Sequence, residues 1–321
     1  MGIFTSDVCM GHEPGGLLGL HPEKPERLST LLTALRTTWR DSFGPNLRVY
    51  DQLEADVNVE ELLRVHTTSH LATVDSAFQR ARSWPLPVNI DSDTVVSKGT
   101  EAAAKRAAGL VVAAVDTVFG TSSTSDRLER AFVMVRPPGH HAEANKPMGF
   151  CLYNNVLVGV AHAQAVHGVG PIAILDFDVH HGNGDENIVA TRSSLLYVSS
   201  HQSPQFPGTG VVAGRGGTHG NFVNAPLPSG TGSEVFRSVW STQLLPAVAA
   251  FAPEAIFISA GFDAHAEDPL ASLALTDEDF EWITSEIVKL GLPIVSVLEG
   301  GYNVEALERA VKAHVGALVN S

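Results

Sequence analysis

The sequence predicts an α/β fold in three layers, in which a central, mostly parallel sheet is covered by helices on both faces. Short apolar runs alternate with helix-patterned segments through the second half of the chain, and this alternation is typical of βαβ units with right-handed crossovers. The runs are almost entirely apolar, as expected for strands that are buried on both faces. The predicted strands of this series are residues 131–135, 172–175, 195–198, 255–258 and 293–298.

The first half of the chain adds two strands and several helices. Residues 3–5 and 47–50 are predicted strands, and apolar residues recur at helical spacing from Leu28 to Trp39. Glycines and prolines make residues 12–26 a long loop. The other predicted elements are two short helices within 56–82, an irregular acidic segment at 86–98, and helices at 100–118, 154–167, 233–250, 276–290 and 303–319, the last two capped by Thr276 and Asn303.

The composition is that of a large-cored globular enzyme. Of the residues, 44% are hydrophobic and 17% are charged, which argues against disorder. No shift in composition marks a boundary, so we predict a single catalytic domain over residues 1–321. The formal net charge of −14 opposes direct binding to nucleic acid, because affinity for phosphates comes largely from Lys and Arg.

Cysteine usage and hydropathy indicate the compartment. Cys9 and Cys151 cannot build a disulfide framework, so we interpret them as small core residues of a protein in a reducing environment. No apolar run of about 18 residues could form a membrane helix, and the N-terminus lacks the pattern of a signal peptide. We therefore expect a cytoplasmic protein with no membrane partner. The sequence leaves the oligomeric state open, a homo-oligomer included.

The stretch DFDVHHGNG, which begins at Asp176, carries the clearest chemistry. It directly follows a predicted parallel strand, and α/β sheets place their sites at the carboxyl ends of such strands. Along an extended chain Asp178 and His180 point to the same side, so both can bind one cation. Asp263 follows another predicted strand and supplies a third ligand. Three ligands leave a position for water, as in catalytic zinc sites.

Each ligand taken singly has an ordinary alternative. Asp263 alone could cap a helix or pair with a base, and an Asp-x-His pattern alone is a weak signal. A dinuclear centre would need another acid two residues beyond His180, but that position is Gly182. We therefore predict one metal ion. Zn²⁺ suits the three-ligand set, and Fe²⁺, Mn²⁺ or Co²⁺ remain alternatives because the ligands are rich in oxygen.

A histidine pair and a tyrosine follow two other strand ends. His140 and His141 come after a Pro-Pro-Gly turn. One imidazole can act as a general base, while the other needs a partner that fixes its charge, for which Asp176 is the natural candidate. Tyr302 follows two glycines that permit a tight turn, and its hydroxyl could donate to an oxyanion. The ordinary alternative is a tyrosine that packs at a strand end.

Other residues have less definite interpretations. Phe150 and Phe206 each stand beside glycines on a loop and could wall a narrow apolar channel. Asp91 and Asp93 lie in an acidic segment that, on its own, is most simply a solvated loop. The histidines interpreted as ordinary surface or half-buried side chains without such a partner are His162, His167 and His314.

Together these blocks resemble the metal-dependent histone deacetylase superfamily, which includes acetylpolyamine amidohydrolases and bacterial histone deacetylase-like amidohydrolases. The similarity covers nearly the whole chain. It implies the arginase/deacetylase fold and zinc-dependent removal of acyl groups from acylated amines. The matching blocks are HPEKPERL from His21, RPPGHHA from Arg136, MGFC from Met148, DFDVHHGNG from Asp176, FPGTG from Phe206, GFD from Gly261 and GGY from Gly300.

The resemblance implies a role for each matched residue. The zinc ligands would be those already singled out, Asp178, His180 and Asp263. The catalytic residues would be His141 as general acid/base, His140 as its electrostatic partner beside Asp176, Tyr302 on the oxyanion, and Asn183, which orients His141.

The resemblance also implies contacts that the residues alone do not indicate. Gly149 would offer its carbonyl to the substrate amide, and Phe150 and Phe206 would line an acyl-lysine tunnel. A structural K⁺ ion would lie near Asp176, Asp178, His180 and Ser199.

The details resemble class II members of the superfamily. Asn183 stands where class I members carry Asp, and LEGGY from Leu298 has the class II form. Class II polyamine deacetylases carry Glu at the position of Leu270, so the leucine favours acyl-lysine as the substrate. The physiological amine and the length of its acyl group stay open.

Two alternatives remain at this stage. The substrate could be an acetylpolyamine or another small amide, because Asp91 or Asp93 could bind a second ammonium at the rim; either acid could instead hold the backbone amides of a peptide. A non-catalytic module that binds acylated amines is the other alternative. Retention of both His141 and Tyr302 favours an enzyme.

Overall fold

In the computed structural model, which describes residues 1–15, 19–120 and 128–320, nine strands form one sheet. Their order is β2-β1-β5-β11-β10-β6-β7-β9-β8, and neighbours are parallel except for β8 and β9. A separate antiparallel pair joins β3 and β4. The strands are β1 (Gly2–Phe4), β2 (Arg48–Tyr50), β3 (Val88–Asn89), β4 (Val95–Val96), β5 (Arg130–Val133), β6 (Ile172–Asp176), β7 (Leu195–Gln202), β8 (Gly214–Gly216), β9 (Phe222–Leu227), β10 (Ala255–Ala260) and β11 (Ile294–Leu298).

Helices cover the sheet on both faces. Every residue of β6 and β10 is buried, and successive strand residues face opposite sides, so neither face is open to water. The predicted three-layer α/β fold is thereby confirmed. The helices are α1 (Glu26–Ala34), α2 (Arg40–Phe43), α3 (Val59–Leu63), α4 (Thr68–Ser83), α5 (Thr100–Phe119), α6 (Asn155–His167), α7 (Asn183–Val189), α8 (Ser233–Val239), α9 (Leu245–Phe251), α10 (Asp277–Val288) and α11 (Val304–Asn320).

Polar side chains fix where the long helices begin. Asn154 accepts the Leu157 N–H at the start of α6, and Asn303 accepts the Ala306 N–H at the start of α11. Such caps satisfy backbone donors that have no partner within the helix. The predicted cap Asn303 is confirmed. At the predicted cap of α10, the Thr276 N–H donates to Asp279 in the manner of a capping box.

Several boundaries and elements differ from the predictions. The helix predicted over 233–250 is interrupted, since π-helical residues Trp240–Leu244 join α8 to α9. The pair β3–β4 lies in the segment predicted to be irregular, and β8, β9 and α7 were not predicted. These elements are short or mix polar residues with apolar ones, so they lack a clear periodicity. Of the predicted loop 12–26, residues 16–18 lie outside the described residues.

The sheet brings the chemistry-bearing segments to one edge. Five neighbouring strands, β5, β11, β10, β6 and β7, are parallel, so the polar segments that follow them meet at their carboxyl ends. Cys9 and Cys151 are buried and unpaired, as predicted. Among the described residues, no helix has the length and apolar character needed to cross a bilayer.

Candidate active site

Asp178, His180 and Asp263 converge in the interior of the protein. One ligand atom from each lies within 4.8 Å of the other two, and all three side chains are buried. His180 Nδ1 is 3.2 Å from Asp178 Oδ1 and 3.1 Å from Asp263 Oδ2. This donor set fits one divalent cation, because two carboxylates balance its charge and a neutral imidazole adds a nitrogen ligand. We call these three residues the metal cluster.

Two glycines let the carboxylates approach so closely. A Cβ atom on Gly261 would overlap Asp178 Oδ2, and a Cβ atom on Gly300 would overlap Asp263 Oδ2. Any larger residue would therefore displace a carboxylate. The Gly300 N–H also donates to Asp178 Oδ2 at 2.8 Å, which favours the ionised carboxylate. The glycines at these strand ends thus shape the metal cluster.

Burial and mutual interaction shift the pKa values within the metal cluster. Burial works to lower the pKa of His180, but its hydrogen bonds with Asp178 and Asp263 prevail and raise it to about 10. Burial and the charge of Asp178 raise the pKa of Asp263 to about 7. Burial opposes ionisation of Asp178, yet His140 and His180 lower its pKa. A metal ion must displace the proton from His180, because metal ligation requires the neutral imidazole.

A hydrogen-bond chain fixes the tautomer of His141. Asn183 Nδ2 donates to Glu143 Oε1 at 2.8 Å, so the other atom of the amide, Oδ1, faces His141 Nδ1 at 2.8 Å. Because Oδ1 can only accept, Nδ1 carries the proton and Nε2 is left as an acceptor. Burial lowers the pKa of His141 well below its usual value, and the charges of His140 and His180 lower it further. Its imidazole is therefore neutral.

His140 has the opposite charge state. Burial opposes its ionisation, but the carboxylates of Asp178 and Asp176 raise its pKa well above the usual value. Its Nδ1 is 3.2 Å from Asp176 Oδ2, which also accepts the Tyr197 hydroxyl at 2.9 Å. The rings of His140 and His141 are 4.0 Å apart. A charged and a neutral imidazole therefore lie side by side.

A cavity of about 240 Å³ opens above the histidines. Phe150 and Phe206 both line it, and Phe206 meets the ring of His141 edge-on at 5.1 Å. A cavity of this kind admits a slender chain whose end reaches the metal cluster and the histidine pair. The lining residues are Asp93, His141, Gly149, Phe150, His180, Gln205, Phe206, Leu270 and Tyr302.

Tyr302 is held on one side of the cavity by contacts to its backbone and ring. Its N–H donates to Asp268 Oδ2 at 2.6 Å, and the guanidinium of Arg27 lies 4.8 Å from the centre of its ring. Burial raises the pKa of Tyr302 well above the usual value, although Arg27 opposes that shift. The phenol therefore keeps its proton and can donate a hydrogen bond.

The two acids of the β3–β4 turn have different positions. Asp91 Oδ1 accepts the N–H groups of Asp93 and Thr94, so Asp91 closes the turn and is not among the residues that line the cavity. Asp93 lines the cavity, and its Oδ1 accepts the Gly149 N–H at 3.2 Å. The Gly149 carbonyl faces the Cys151 thiol at 3.2 Å. Of the two acids, only Asp93 lies where it could meet a ligand.

Ser199 lies beside the residues predicted to surround a potassium ion. It is paired with Asp176 across β6 and β7 and is fully buried. Its hydroxyl is 2.8 Å from His201 Nδ1. Ser199 is thus a neighbour of Asp176, another of the residues predicted to bind potassium.

Sequence reasoning assigned no role to four residues that position the site. Gln205 donates to the Leu270 carbonyl at 2.9 Å, and Arg27 donates to the Gly301 carbonyl at 2.6 Å. Both contacts use backbone carbonyls distant in sequence, which leave no local pattern. The four residues are Arg27, Glu143, Gln205 and Asp268.

The interpretation of three helical histidines was wrong in part: His167 is half-buried, as predicted, but the other expectations fail. His314 is fully buried, with its ring nitrogens 2.6 Å from Thr284 Oγ1 and 2.9 Å from Ser296 Oγ. His162 and His167 do have an acidic partner, because both lie within hydrogen-bond distance of one carboxylate, that of Asp116.

Comparison with known proteins places the chain among deacetylases. The family model described as a histone deacetylase domain matches residues 21–318. Histone deacetylase 14, chloroplastic, of Arabidopsis thaliana is 33% identical over 329 residues, which cover 99% of this chain and 76% of that protein. A probable deacetylase of Methanothermobacter thermautotrophicus is 38% identical over 257 residues, covering 78% of this chain and 74% of that one.

Two solved structures have the same fold. The HD domain of HDA15 superposes with a TM-score of 0.88 at 32% identity, covering 100% of this chain and 91% of that one. An acetylpolyamine aminohydrolase from Burkholderia pseudomallei superposes with a TM-score of 0.83 at 28% identity, covering 99% of this chain and 98% of that one. The predicted arginase/deacetylase fold is thereby confirmed.

Asn183→Asp should move the acid limb of the pH–rate profile to higher pH. A carboxylate at 183 would stabilise protonated His141 and raise its pKa, and a base that must be neutral then loses activity at a higher pH. A shift of about one unit or more is expected. The measurement is kcat/KM for hydrolysis of an acetyl-lysine peptide as a function of pH. Asn187→Asp adds the same charge at an exposed position nearby and should leave the limb in place; an equal shift in both variants contradicts the assignment.

Proposed function

The chain belongs to the histone deacetylase family, and we propose that it is a zinc-dependent hydrolase that removes acyl groups, chiefly acetyl, from lysine side chains. The observation that carries the proposal is the composition of the cavity. His180 of the metal cluster, His141 and Tyr302 all line it, between two phenylalanines. A metal-ligating residue, a general base and a phenol hydrogen-bond donor therefore face the same small cavity, as amide hydrolysis requires.

The metal cluster would hold the ion and His141 would move the proton. Zn²⁺, or Fe²⁺, Mn²⁺ or Co²⁺ in its place, supplies a Lewis acid for the amide carbonyl and lowers the pKa of water. His141 Nε2 is the acceptor that takes a proton from the attacking water, since Nδ1 keeps its own proton and donates it in a hydrogen bond to Asn183 Oδ1. The imidazolium so formed then gives its proton to the departing amine. Both transfers occur at one nitrogen atom.

His140 and Tyr302 support the charge changes around that step. The positive charge of His140, stabilised by Asp176, keeps the pKa of His141 low, so the base is neutral before reaction. The Tyr302 phenol donates to the carbonyl oxygen as negative charge develops there. Both residues are buried, so these interactions act in a medium that screens them weakly.

The cavity walls suit an acyl-lysine. Phe150 and Phe206 would pack against the aliphatic part of the side chain, and the Gly149 carbonyl would accept the N–H of the substrate amide. Leu270 adds apolar surface and no charge. We also propose that the enzyme is class II-like, as Asn183 and LEGGY from Leu298 indicate, and that residues 1–321 form one catalytic domain of a cytoplasmic protein.

A potassium ion is a further part of the proposal. Asp176, Asp178, His180 and Ser199 would surround it. The burial of Ser199 and its pairing with Asp176 support this position. Its role would be structural, since a cation there offsets the charge of the buried carboxylates.

One observation favours an acetylpolyamine as a second candidate substrate. The carboxyl group of Asp93 lines the cavity and could attract a second ammonium group. The acetylpolyamine aminohydrolase from Burkholderia pseudomallei has the same fold at 28% identity. The side chain at 270 separates the two candidates, because a leucine offers no charge to such a ligand.

Asp178→Asn should abolish both metal content and hydrolysis of an acetyl-lysine peptide. The amide keeps the shape of the carboxylate but removes the charge that a divalent ion requires. Zinc per chain and peptide turnover are measured together, with exposed Asp75→Asn as the control. Full activity in metal-free protein contradicts a metal enzyme. Tight binding of acetyl-lysine without turnover by the metal-loaded wild type would instead indicate a binding module.

Tyr302→Phe should lower kcat by about a hundredfold or more while KM changes little, because the phenol hydrogen bond strengthens only as the oxyanion forms. Steady-state kinetics on an acetyl-lysine peptide provide the measurement. Tyr153→Phe makes the same change at a buried tyrosine that is not among the residues lining the cavity and should have little effect. A rise in KM alone would make Tyr302 a residue of substrate binding.

Leu270→Glu should raise kcat/KM for acetylspermidine relative to acetyl-lysine peptide. A carboxylate at the cavity would attract the second ammonium, by up to about tenfold for each 1.4 kcal/mol gained. Leu270→Gln has nearly the same shape without the charge and should not shift the ratio. If the wild type already prefers acetylspermidine to every acetyl-lysine substrate, the acyl-lysine assignment is wrong.

A further inference from the structure

A second cluster of metal-ligating side chains lies at the ends of two helices. It consists of Asp116 in the last turn of α5 with His162 and His167 near the end of α6, and we call it the helix-end cluster. One ligand atom from each residue lies within 4.8 Å of the other two. Asp116 Oδ1 is 2.9 Å from His162 Nε2 and 2.7 Å from His167 Nε2. Three possible metal-ligand atoms thus lie around one small volume.

The helix-end cluster is remote from the catalytic cavity. Asn155 begins α6 and donates to the Pro137 carbonyl at 3.1 Å, close to the histidine pair, whereas His167 ends the helix. A helix of 13 residues is roughly 20 Å long. The helix-end cluster therefore lies near the amino-terminal edge of the sheet and shares no residue with the metal cluster.

The local field favours a cation at this position. Both α5 and α6 end here, and the carboxyl end of a helix carries partial negative charge. Asp116 adds a carboxylate at the same point, and its Oδ1 faces both imidazoles. Two helix ends and one carboxylate thus attract positive charge to the same point.

The contacts of His162 must rearrange before its Nε2 can bind a metal. Arg64 lies 3.2 Å from Nδ1, to which it donates, and Glu61 Oε1 is 3.6 Å from the same atom. When Nε2 binds a metal, the ring proton moves to Nδ1, so Arg64 must turn away and Glu61 becomes the acceptor. A carboxylate behind a ligating histidine is a common arrangement in metal sites.

The helix-end cluster is also open enough to solvent for a metal ion to enter. The side chain of Asp116 is 53% exposed, whereas those of His162 and His167 are 8% and 14% exposed. The histidines are therefore held in place by packing, while the carboxylate faces solvent. An ion can enter from that side and retain a water molecule as its fourth ligand.

We propose that the helix-end cluster binds one divalent transition-metal ion, for which Zn²⁺ suits two imidazoles, one carboxylate and a water. The bound ion ties the last turns of α5 and α6 together, and its place is structural because no cavity-lining residue touches it. The competing arrangement is a hydrogen-bonded cluster in which both imidazoles donate from Nε2 to Asp116 and no metal binds.

Metal stoichiometry of the loaded enzyme tests the proposal. The full chain is dialysed against micromolar Zn²⁺, freed of loosely bound ions, and analysed for zinc per chain. Wild-type protein should hold one ion more than His167→Ala or Asp116→Asn. His219→Ala removes an exposed histidine outside the helix-end cluster and should match wild type. Equal zinc content in wild type, His167→Ala and Asp116→Asn overturns the proposal.

Two further readouts separate this ion from the catalytic one. In Asp178→Asn protein the ion at the helix-end cluster should persist, and adding Asp116→Asn should remove it, whatever the outcome for deacetylation. Zn²⁺ should raise the Tm of Asp178→Asn protein, because ligand binding to the folded state stabilises it. The rise should be lost on adding Asp116→Asn. A rise that survives the second substitution places the ion elsewhere and also overturns the proposal.

Discussion

Buried carboxylates crowd the carboxyl edge of the sheet, and the surrounding structure is arranged to offset their repulsion. Removal from water favours the neutral form of a carboxyl group, and burial raises the pKa of Asp185 to about 7 and that of Glu299 to about 8. Backbone donors oppose this: Glu299 accepts the N–H groups of Gly139 and His140. Buried carboxylates therefore link the strand ends by hydrogen bonds, and other buried carboxylates would bind the metal. The active site and the packing of the sheet thus depend on each other. The buried acids are Asp176, Asp178, Asp185, Asp263 and Glu299.

The histidine pair shows how different surroundings divide the roles of identical side chains. The carboxylates of Asp178 and Asp176 raise the pKa of His140. His141 faces the uncharged amide of Asn183, whose hydrogen bond is too weak an influence to offset burial and the charges of His140 and His180, so its pKa is lowered. The charged ring lies 4.0 Å from the neutral one and makes protonation of the neutral ring harder still. The weak base that results suits a step in which the proton must be passed on to a departing amine.

Continuous local patterns could be predicted from the sequence, and long-range contacts could not. β6 and β10 are apolar over most of their length, so the central sheet follows from the residues themselves. Asp178 and His180 do converge with Asp263, as predicted, but they lie in a bend after the end of β6 rather than on the extended backbone that the prediction assumed. β8 and β9 mix Gly, Arg, Asn and Pro, and their pairing is set by neighbours rather than by periodicity. Arg27 reaches Gly301 across 274 positions, a contact that only the folded chain defines.

The rim of the cavity connects the fold to the choice of substrate. Gly149 and Phe150 have φ angles of 58° and 67°, and such a conformation is costly for phenylalanine. The β3–β4 turn holds it in place, since Asp93 accepts the Gly149 N–H and Thr94 accepts the Phe150 N–H. One oxygen of Asp93 is thus engaged with the backbone, and burial together with the charge of Asp91 raises the pKa of Asp93. An acid already used to shape the cavity offers less charge to a polyamine, which favours an acyl-lysine chain.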